Sequence, residues 1–458
     1  MRRFWLTFAL ALAARAATPT ADLLAELIRV DTSNPPGNEG KLDDLIAAKL
    51  KPLGFSIEIF PTPQAGKTHL IARLKGDGSA RPVLIAAHAD VVGVEREKWS
   101  VPPFEGVIKD GYVWGRGAID FKGGLAVFAE AAMRIARNKI PLKRDLIFMV
   151  EADEEAQPFN TSWLAQNHWD KMDCEFALNE GGWIMKRPDG KVRYVSISTA
   201  DKSGVNLVLT AHGTSTHSSM PRPDSAIFSL AKALSKLADY DTKPELTAST
   251  REFFMTLAKT SEPPMSAYFS DLVNSKDPAV IARADKEISK DILLHAIMRN
   301  TIAPVLMQAG FRGNVIPGSA EVTINFRTIP GTTPEDLIAE MKRVIGDPSV
   351  DITAPRTAVA LPRSGVESPM NTDLYRALVE SSGKVWPGVP VTPYLFQAGT
   401  DAFAWRMHGV PVYGIYPYPI SNEDLSRMHG NDERVPVDSL EQGADLIYQT
   451  LLRVAAKQ

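Results

Sequence analysis

The stretch DLIFMVEADEE, residues 145–155, is a run of apolar residues that ends in a group of acids. Its apolar part has the length of a buried β-strand. The same pattern recurs in PVLIAAHAD, residues 82–90, and in CEFALNEGG, residues 174–182. Between such runs lie helix-length segments, of which 122–138 has apolar residues at helical spacing. This alternation predicts an α/β fold built on a mostly parallel sheet.

The character of the sequence changes near residue 201 and changes back near residue 365. VNLVLTAHG alternates like a half-exposed antiparallel strand, and helices are predicted at 224–238 and at roughly 286–299. Segregated strands and helices favour an α+β unit inserted into the α/β domain. The predicted parts are a signal peptide at 1–16, a catalytic domain at 17–200 and 365–458, and a smaller inserted domain at 201–364.

The N-terminus has the pattern of a secretory signal. MRRFWLTFALALAARAA begins with two arginines, continues with an apolar stretch and offers small residues for cleavage after Ala16. The apolar stretch is shorter than the ~20 residues that a membrane-spanning helix needs. We therefore expect a secreted or periplasmic protein with no stable membrane span after cleavage. Its single cysteine, Cys174, permits no intramolecular disulfide and is expected to be a buried apolar residue.

The composition is that of an ordinary globular protein. The 458 residues are 44% hydrophobic and 23% charged, and the formal net charge is −3. No block of five or more like charges occurs, so the sequence gives no support for nucleic-acid binding. A chain of this length can bury a large core without disulfides.

Each of the three strand-like runs ends in side chains that can bind a metal ion. Ligands of open α/β sheets bind beyond the carboxyl ends of the strands, so these side chains are expected to meet. Two further candidates come from a glycine-rich turn and from the C-terminal segment. The candidates are His88, Asp90, Asp120, Glu154, Glu155, Glu180 and His429.

Imidazole and carboxylate ligands suit zinc, with cobalt or manganese as substitutes. Five ligands exceed the needs of one tetrahedral zinc ion, whereas two metal ions that share a carboxylate use all of them. Asp90 follows His88 by two residues, so on a strand it can hold the second ring nitrogen of His88. Spacing alone leaves open whether Glu154 or Glu155 is the metal ligand.

Eight segments carry a resemblance to a known family. They are AAHADVV, WGRGAIDFKGG, EADEE, NEGG, THSSMP, NVIPGSAEVTINFR, AGTDAF and MHGNDER. In this order they resemble the aminoacylase/carboxypeptidase family of dinuclear zinc hydrolases. That family includes glutamate carboxypeptidase, succinyl-diaminopimelate desuccinylase, acetylornithine deacetylase and Gly-Xaa carboxypeptidase. The resemblance covers nearly the whole mature chain and implies that the inserted domain is a lid and dimerisation domain.

The resemblance also implies which residues bind each metal ion. His88 and Glu180 would bind one zinc ion, and Glu155 and His429 would bind the other. Asp120 would bridge the two ions.

Further roles for the proton and the substrate follow from the same resemblance. Glu154 would be the general base, and Asp90 would orient His88. In dimeric members a histidine of the inserted domain, here His217, reaches the partner's active site and stabilises the oxyanion. The residues that would hold the substrate are Asn314, Arg327, Gly399 and Thr400.

These observations predict metal-dependent hydrolysis of the amide bond next to a C-terminal amino acid in a small peptide. One alternative is an N-acyl-amino-acid deacylase that uses the same metals. A distant alternative is a non-catalytic solute-binding protein, which would be expected to have lost a ligand or the base. A serine hydrolase is disfavoured because the chain has no G-x-S-x-G motif. Trp99 and Phe159 are expected to form apolar walls near the metals, and the remaining histidines to be structural or solvated.

Overall fold

The computed structural model describes residues 18–355 and 367–457. The predicted signal peptide and the predicted return to the catalytic domain at residue 365 lie outside the described residues. The strands are β1 (Ser56–Pro61), β2 (Thr68–Leu74), β3 (Val83–His88), β4 (Val107–Lys109), β5 (Tyr112–Trp114), β6 (Leu146–Glu151), β7 (Phe176–Lys186), β8 (Val192–Asp201), β9 (Ser203–His212), β10 (Thr216–His217), β11 (Thr301–Ala309), β12 (Val315–Ile316), β13 (Ser319–Thr328), β14 (Val350–Thr353), β15 (Val391–Phe396), β16 (Val412–Ile420) and β17 (Arg434–Pro436).

Helices lie between many of these strands and cover the sheets. They are α1 (Pro19–Ile28), α2 (Glu39–Leu50), α3 (Lys122–Arg137), α4 (Thr161–Met172), α5 (Ala226–Ala238), α6 (Ala248–Thr260), α7 (Met265–Asn274), α8 (Pro278–Ile288), α9 (Ile292–Ile297), α10 (Pro334–Ile345), α11 (Asp373–Val385), α12 (Ala402–Arg406), α13 (Asn422–Leu425) and α14 (Val437–Ala455). Short 3₁₀ helices occur at Lys51–Leu53 and Arg96–Lys98.

Eight strands form one large sheet in the order β1-β2-β6-β3-β7-β16-β8-β15. Its central strands β6, β3, β7 and β16 run parallel, because each is separated from the next by helices. The three strands that carry predicted metal ligands, β3, β6 and β7, are neighbours in this sheet. The predicted α/β fold with a mostly parallel sheet is confirmed.

Strand β7 continues beyond the end that the sequence pattern predicts. The pattern ends the strand at residue 179, yet β7 extends to residue 186. Its pairing with β16 is irregular between Gly414 and Ile415, which lie opposite residues 179 and 182. A Cβ atom at Gly414 would lie 2.0 Å from the main-chain oxygen of Glu180, so glycine is needed for this close approach. Glu180 therefore lies at an irregularity inside the strand.

A second, antiparallel sheet has the order β11-β13-β9-β14 and takes its strands from residues 203–353. Along each strand, every second residue faces a core that this sheet shares with helices α5 and α10. Leu207, Ile324 and Phe326 are fully buried on that face. Strand β11 forms one edge of the sheet.

Helices α6 to α9 fall within the range predicted for the inserted domain but pack with the large sheet. Phe253, Phe269 and Ile288 belong to the same hydrophobic core as β8 and β15. The single helix predicted at roughly 286–299 is wrong. Helix α8 ends at Ile288, and α9 starts anew because the side chain of Asp291 accepts hydrogen bonds from the first turn of that helix.

Within residues 18–355 and 367–457, every helix is too short or too polar to cross a membrane. Cys174 is buried and free, as the sequence predicts. Burial raises the pKa of its thiol.

Candidate metal centre

The centre contains His88, the last residue of β3. Its side chain is only 1% exposed. Atom Nε2 lies 3.1 Å from Oδ1 of Asp120 and 3.6 Å from Oε2 of Glu180. A strand end, the turn before α3 and the irregularity in β7 thus bring three possible ligands together.

Asp120 also faces a second imidazole. Its Oδ2 atom lies 3.0 Å from Nε2 of His429, and the same nitrogen lies 3.0 Å from Oε1 of Glu155. Asp120 therefore lies between two pairs of imidazole and carboxylate, with one oxygen directed to each imidazole. This arrangement suits a carboxylate that bridges two metal ions.

The two glutamates after β6 contribute to different groups of possible ligands. Glu154 groups with His88 and Glu180, and Glu155 groups with His88 and Asp120. In each group the atoms that could bind a metal lie within 4.8 Å of one another. Glu155 alone of the two contacts His429.

Asp90 fixes the backbone of these glutamates. Its Oδ1 and Oδ2 atoms accept hydrogen bonds from the N–H groups of Glu154 and Glu155, at 3.1 Å and 3.0 Å. Nδ1 of His88 lies 2.9 Å from the main-chain oxygen of Asp90 and 3.7 Å from its carboxylate. Asp90 thus contacts His88 mainly through its carbonyl group, because it lies beyond the end of β3, where strand alternation no longer applies.

An ion pair that the sequence reading missed joins two of the segments that carry ligands. The buried carboxylate of Glu433 accepts a hydrogen bond from Arg116 Nη1 at 2.6 Å. It also accepts hydrogen bonds from the N–H groups of Ile119 and Asp120, at 2.7 Å and 3.0 Å. Arg116 in turn donates to the main-chain oxygen of His429 at 3.1 Å. This ion pair therefore holds the backbone at both Asp120 and His429.

Tyr416, on β16, is a second residue that the sequence reading missed. Its hydroxyl oxygen lies 3.1 Å from Oδ1 of Asp120 and 2.8 Å from Oε2 of Glu180. Tyr416 lies in an apolar strand, where nothing in the sequence distinguishes it from an ordinary core aromatic residue.

The centre concentrates negative charge in a buried place. Burial and the charge of Glu180 raise the pKa of Glu154 well above its ordinary value. Burial also raises the pKa of Glu180 to about 7. Hydrogen bonds to Asp120 and Glu155 raise the pKa of His429 to about 10. Without metal ions, the protein must therefore bind extra protons to balance the negative charge of these carboxylates.

Two divalent cations would balance the same charge without those protons. The donors are imidazole nitrogens and carboxylate oxygens, which zinc accepts readily and which cobalt and manganese also accept. The residues present therefore fit a dinuclear metal site.

The predicted substrate residues Arg327, Gly399 and Thr400 lie near the junction between the two sheets. The exposed side chain of Arg327, on β13, brings Nη1 to 3.9 Å from the position that a Cβ atom on Gly399 would take. The hydroxyl of Thr400 already donates to Oδ2 of Asp201 at 2.6 Å. Among residues 18–355 and 367–457, the Arg327 guanidinium is therefore the cationic group next to Gly399 that could hold a carboxylate.

His217 and Asn314 lie together on a small ribbon formed by β10 and β12. His217 pairs with Val315, and the N–H of Ser218 donates to the main-chain oxygen of Asn314 at 3.0 Å. The exposed side chain of His217 has Nδ1 2.8 Å from Oγ of Ser219. Within the described part of the chain, none of its hydrogen bonds reaches the metal centre.

The two aromatic residues expected to line a pocket differ in their surroundings. Trp99 is 9% exposed, and the guanidinium of Arg116 lies 5.4 Å from the centroid of its ring. It is therefore a packing partner of Arg116, and its role as an apolar wall of the substrate pocket stays a prediction. Phe159 is half-buried and contacts Trp163 edge to face, with ring centroids 6.1 Å apart.

Comparison with known proteins agrees with this geometry. The model of peptidase family M20/M25/M40 matches residues 84–453. The probable carboxypeptidase S-like 2 of Dictyostelium discoideum is 32% identical over 391 residues, which are 83% of this chain and 73% of that protein. The human N-fatty-acyl-amino acid synthase/hydrolase PM20D1 is 29% identical over 391 residues, or 84% of this chain and 76% of that protein.

A solved structure with a similar fold is the M20 family metallo-carboxypeptidase Sso-CP2 from Sulfolobus solfataricus. Its TM-score is 0.70 at 18% sequence identity, with 95% of this chain and 99% of that chain covered. The family resemblance inferred from the sequence motifs is thereby confirmed. The chain belongs to peptidase family M20/M25/M40 and is an amidohydrolase of that family.

Proposed function

We propose that the protein hydrolyses the amide bond next to the C-terminal amino acid of small peptides, as a metallo-carboxypeptidase or dipeptidase. The position of Asp120 between His88 and His429 carries this proposal. It supports a pair of metal ions, for which zinc is the proposed native metal. When bound, such ions polarise the scissile carbonyl group and make a water molecule more acidic.

The ligands would divide between the two ions as the distances suggest. His88 and Glu180 lie on one side of Asp120, and Glu155 and His429 lie on the other. Tyr416 contacts two of these carboxylates and would keep them oriented.

Glu154 is the proposed general base. It lies beside His88 and Glu180, and Glu155 is the glutamate that contacts His429, so the proposed ligand set leaves Glu154 for proton transfer. It would accept a proton from the attacking water and deliver it to the leaving amine. Asp90 supports this role because it holds the N–H of Glu154 in place.

The substrate carboxylate is proposed to bind between Arg327 and the main chain at Gly399. The guanidinium group can grip a carboxylate through two parallel hydrogen bonds. Its closeness to Gly399 supports a shared binding site for the free carboxylate. Asn314 would add a donor to this binding site, and His217 would reach the partner's active site in a dimer and stabilise the oxyanion there.

A second candidate function is the hydrolysis of N-acyl amino acids. The similarity to PM20D1, named an N-fatty-acyl-amino acid synthase/hydrolase, favours it, and the proposed carboxylate grip is compatible with both kinds of substrate. The two candidates differ only in the group that the scissile carbonyl carries. Assays of dipeptides and of N-acyl amino acids with the same C-terminal residue therefore distinguish the two candidate functions. Each substrate is assayed with zinc, cobalt and manganese.

We also propose a homodimer through the second sheet. Val305, Leu306 and Met307 on edge strand β11 are 53%, 65% and 55% exposed, and nearby Phe311 is 78% exposed. An unpaired apolar edge strand is a ready site for pairing with another copy. Analytical ultracentrifugation of the wild type and of Leu306→Asp tests the proposed homodimer. We expect the wild type to be a dimer and the Leu306→Asp variant to be a monomer. A monomeric wild type would contradict the proposal.

A further inference from the structure

Asp153 is the residue that turns the chain from β6 into the loop with Glu154 and Glu155. Its φ angle is +61°, in the left-handed region that aspartate tolerates better than most residues. The residue is fully buried. Its carboxylate accepts a hydrogen bond from the N–H of Phe159 at 2.7 Å, which closes the loop on itself. A buried carboxylate at this position needs further partners.

Asn34 and Lys67 are those partners. The side-chain amide of Asn34 donates to Oδ1 of Asp153 at 2.8 Å and to Oδ2 of Asp90 at 2.8 Å. Its Oδ1 atom accepts a hydrogen bond from Nζ of Lys67 at 2.9 Å. Asn34 therefore connects the two aspartates that hold Glu154 and Glu155.

Lys67 is the cation of this network. Its side chain is only 2% exposed and forms an ion pair with Asp153. Lysine is rarely buried this far unless its charge is paired, so the position is specific for a cation that faces Asp153. None of the metal-binding candidates contacts Lys67, so its charge acts on the loop and not on the metals directly.

His69, on β2, fixes the two ends of the same loop. Its Nδ1 accepts a hydrogen bond from the N–H of Ala152 at 3.1 Å, so its Nε2 carries the proton that binds the main-chain oxygen of Phe159 at 2.9 Å. Loop 152–159 is thus held at both ends by His69 and, at Asp153 near its start, by Lys67 and Asn34.

We infer that Asn34 and Lys67 are positioning residues for the hydrolytic reaction, which act through Asp90 and Asp153 to place Glu154 and Glu155. This inference rests on the proposed role of Glu154. Catalytic groups must hold their geometry closely, and a displacement of about 1 Å can cost roughly 100-fold in rate. The network is built for this purpose, because every polar group of the Asn34 side chain is used on an aspartate or on Lys67.

The test compares Lys67→Met with Arg144→Met in the metal-loaded enzyme. Arg144 is also buried and forms an ion pair with Glu175. It lies just before the start of β6, at the opposite end of this strand from Glu154 and Glu155. For Lys67→Met we expect kcat to fall about 100-fold with KM changed less than about threefold. We also expect an altered absorption spectrum of the cobalt-loaded enzyme, because Glu155 moves. Arg144→Met should lower thermal stability only.

The double variant Lys67→Met/Asp153→Asn removes both charges and guards against misfolding of the single variant. The inference predicts a folded protein whose kcat stays low, since the grip on the loop is lost. Wild-type kcat and cobalt spectrum in either Lys67 variant would overturn the inference. An inactive wild type would instead contradict the proposed function, and the cobalt spectrum would still decide the role of Lys67.

Discussion

Oδ2 of Asp120 lies 3.0 Å from Nε2 of His429, although the two residues come from opposite parts of the chain. The other oxygen of the same carboxylate faces a different imidazole. Asp120 shares the centre with the carboxylates of Glu154, Glu155 and Glu180, and four carboxylates this close together need protons or cations to balance their charge. The relationship supports the proposed site for two cations.

Replacement of Glu154 by glutamine should leave metal binding intact and abolish most turnover. Glutamine has nearly the same shape but cannot accept the proton from water, and general-base catalysis contributes about 100- to 10,000-fold. Steady-state kinetics and metal analysis on the same sample check this. Glu95→Gln, at an exposed glutamate, is the control with wild-type kcat. Full activity of the metal-loaded Glu154 variant would falsify the base assignment.

Replacement of Glu433 by glutamine should weaken metal binding. Glu433 accepts from Ile119 and Asp120 through one oxygen and from Arg116 through the other, and an amide has only one acceptor oxygen, so one of these two sets of donors would face an NH2 group and the ion pair that supports Asp120 would be lost. Loss of a partner that orients a ligand costs about 10- to 100-fold in metal affinity. Competition with a chelator measures the affinity. Glu130→Gln changes another buried, arginine-paired glutamate, on α3, and should bind metal as the wild type does; equal affinities in both variants would exclude the role of Glu433.

Replacement of Arg327 by alanine should raise KM and lower kcat for substrates with a free C-terminal carboxylate. A hydrogen bond to a charged group is worth enough to change kcat/KM by about 10- to 100-fold. The same peptide with a C-terminal amide should show a much smaller change. Arg283→Ala, at an exposed arginine on α8, is the control. An equal loss on both substrates would remove Arg327 from carboxylate binding.

The protein should lose stability in mild acid because of His69. Burial lowers the pKa of His69 from an ordinary 6.5 to about 4. His69 therefore binds a proton more readily in the unfolded chain than in the folded protein. Its contribution to the free energy of unfolding is complete above pH 6.5 and is lost as the pH falls toward 4. At pH 5 the loss in the free energy of unfolding is about 2 kcal/mol.

Chemical denaturation of the metal-free protein at pH 7 and pH 5 measures this loss. The variant His69→Asn should lose about 2 kcal/mol less than the wild type between these conditions. His408→Asn, at an exposed histidine, should keep the wild-type dependence. Parallel pH dependences in all three proteins would show that His69 does not titrate in this range.

The sequence predicted the parallel sheet and most of the centre because both depend on local pattern. Apolar runs that end in polar residues identify strands, and parallel strands bring their carboxyl ends to one edge. His88 could be found in this way, whereas Asp120 was found from the glycine-rich turn that precedes α3. Glu180 was also found, because it directly follows an apolar run. The continuation of β7 through Glu180 was missed, because the close packing of Gly414 against this strand is not visible in the sequence.

The supporting groups could not be predicted because they pair across long distances. Lys67 and Glu433 look like ordinary surface charges until the fold places them beside Asp153 and Arg116. The start of helix α8 can be predicted from the sequence, since Asp277 caps the helix and Pro278 follows it. The helices next to it, α7 and α9, are too short to show the long apolar pattern on which the prediction relied.

Calorimetric titration of the metal-free protein with zinc measures the number of bound ions per chain most directly. We expect two equivalents in the wild type and a marked loss of binding at both positions in Asp120→Ala, because Asp120 faces both imidazoles. Binding of one ion or none by the intact chain, or two undisturbed ions in the Asp120 variant, would contradict it.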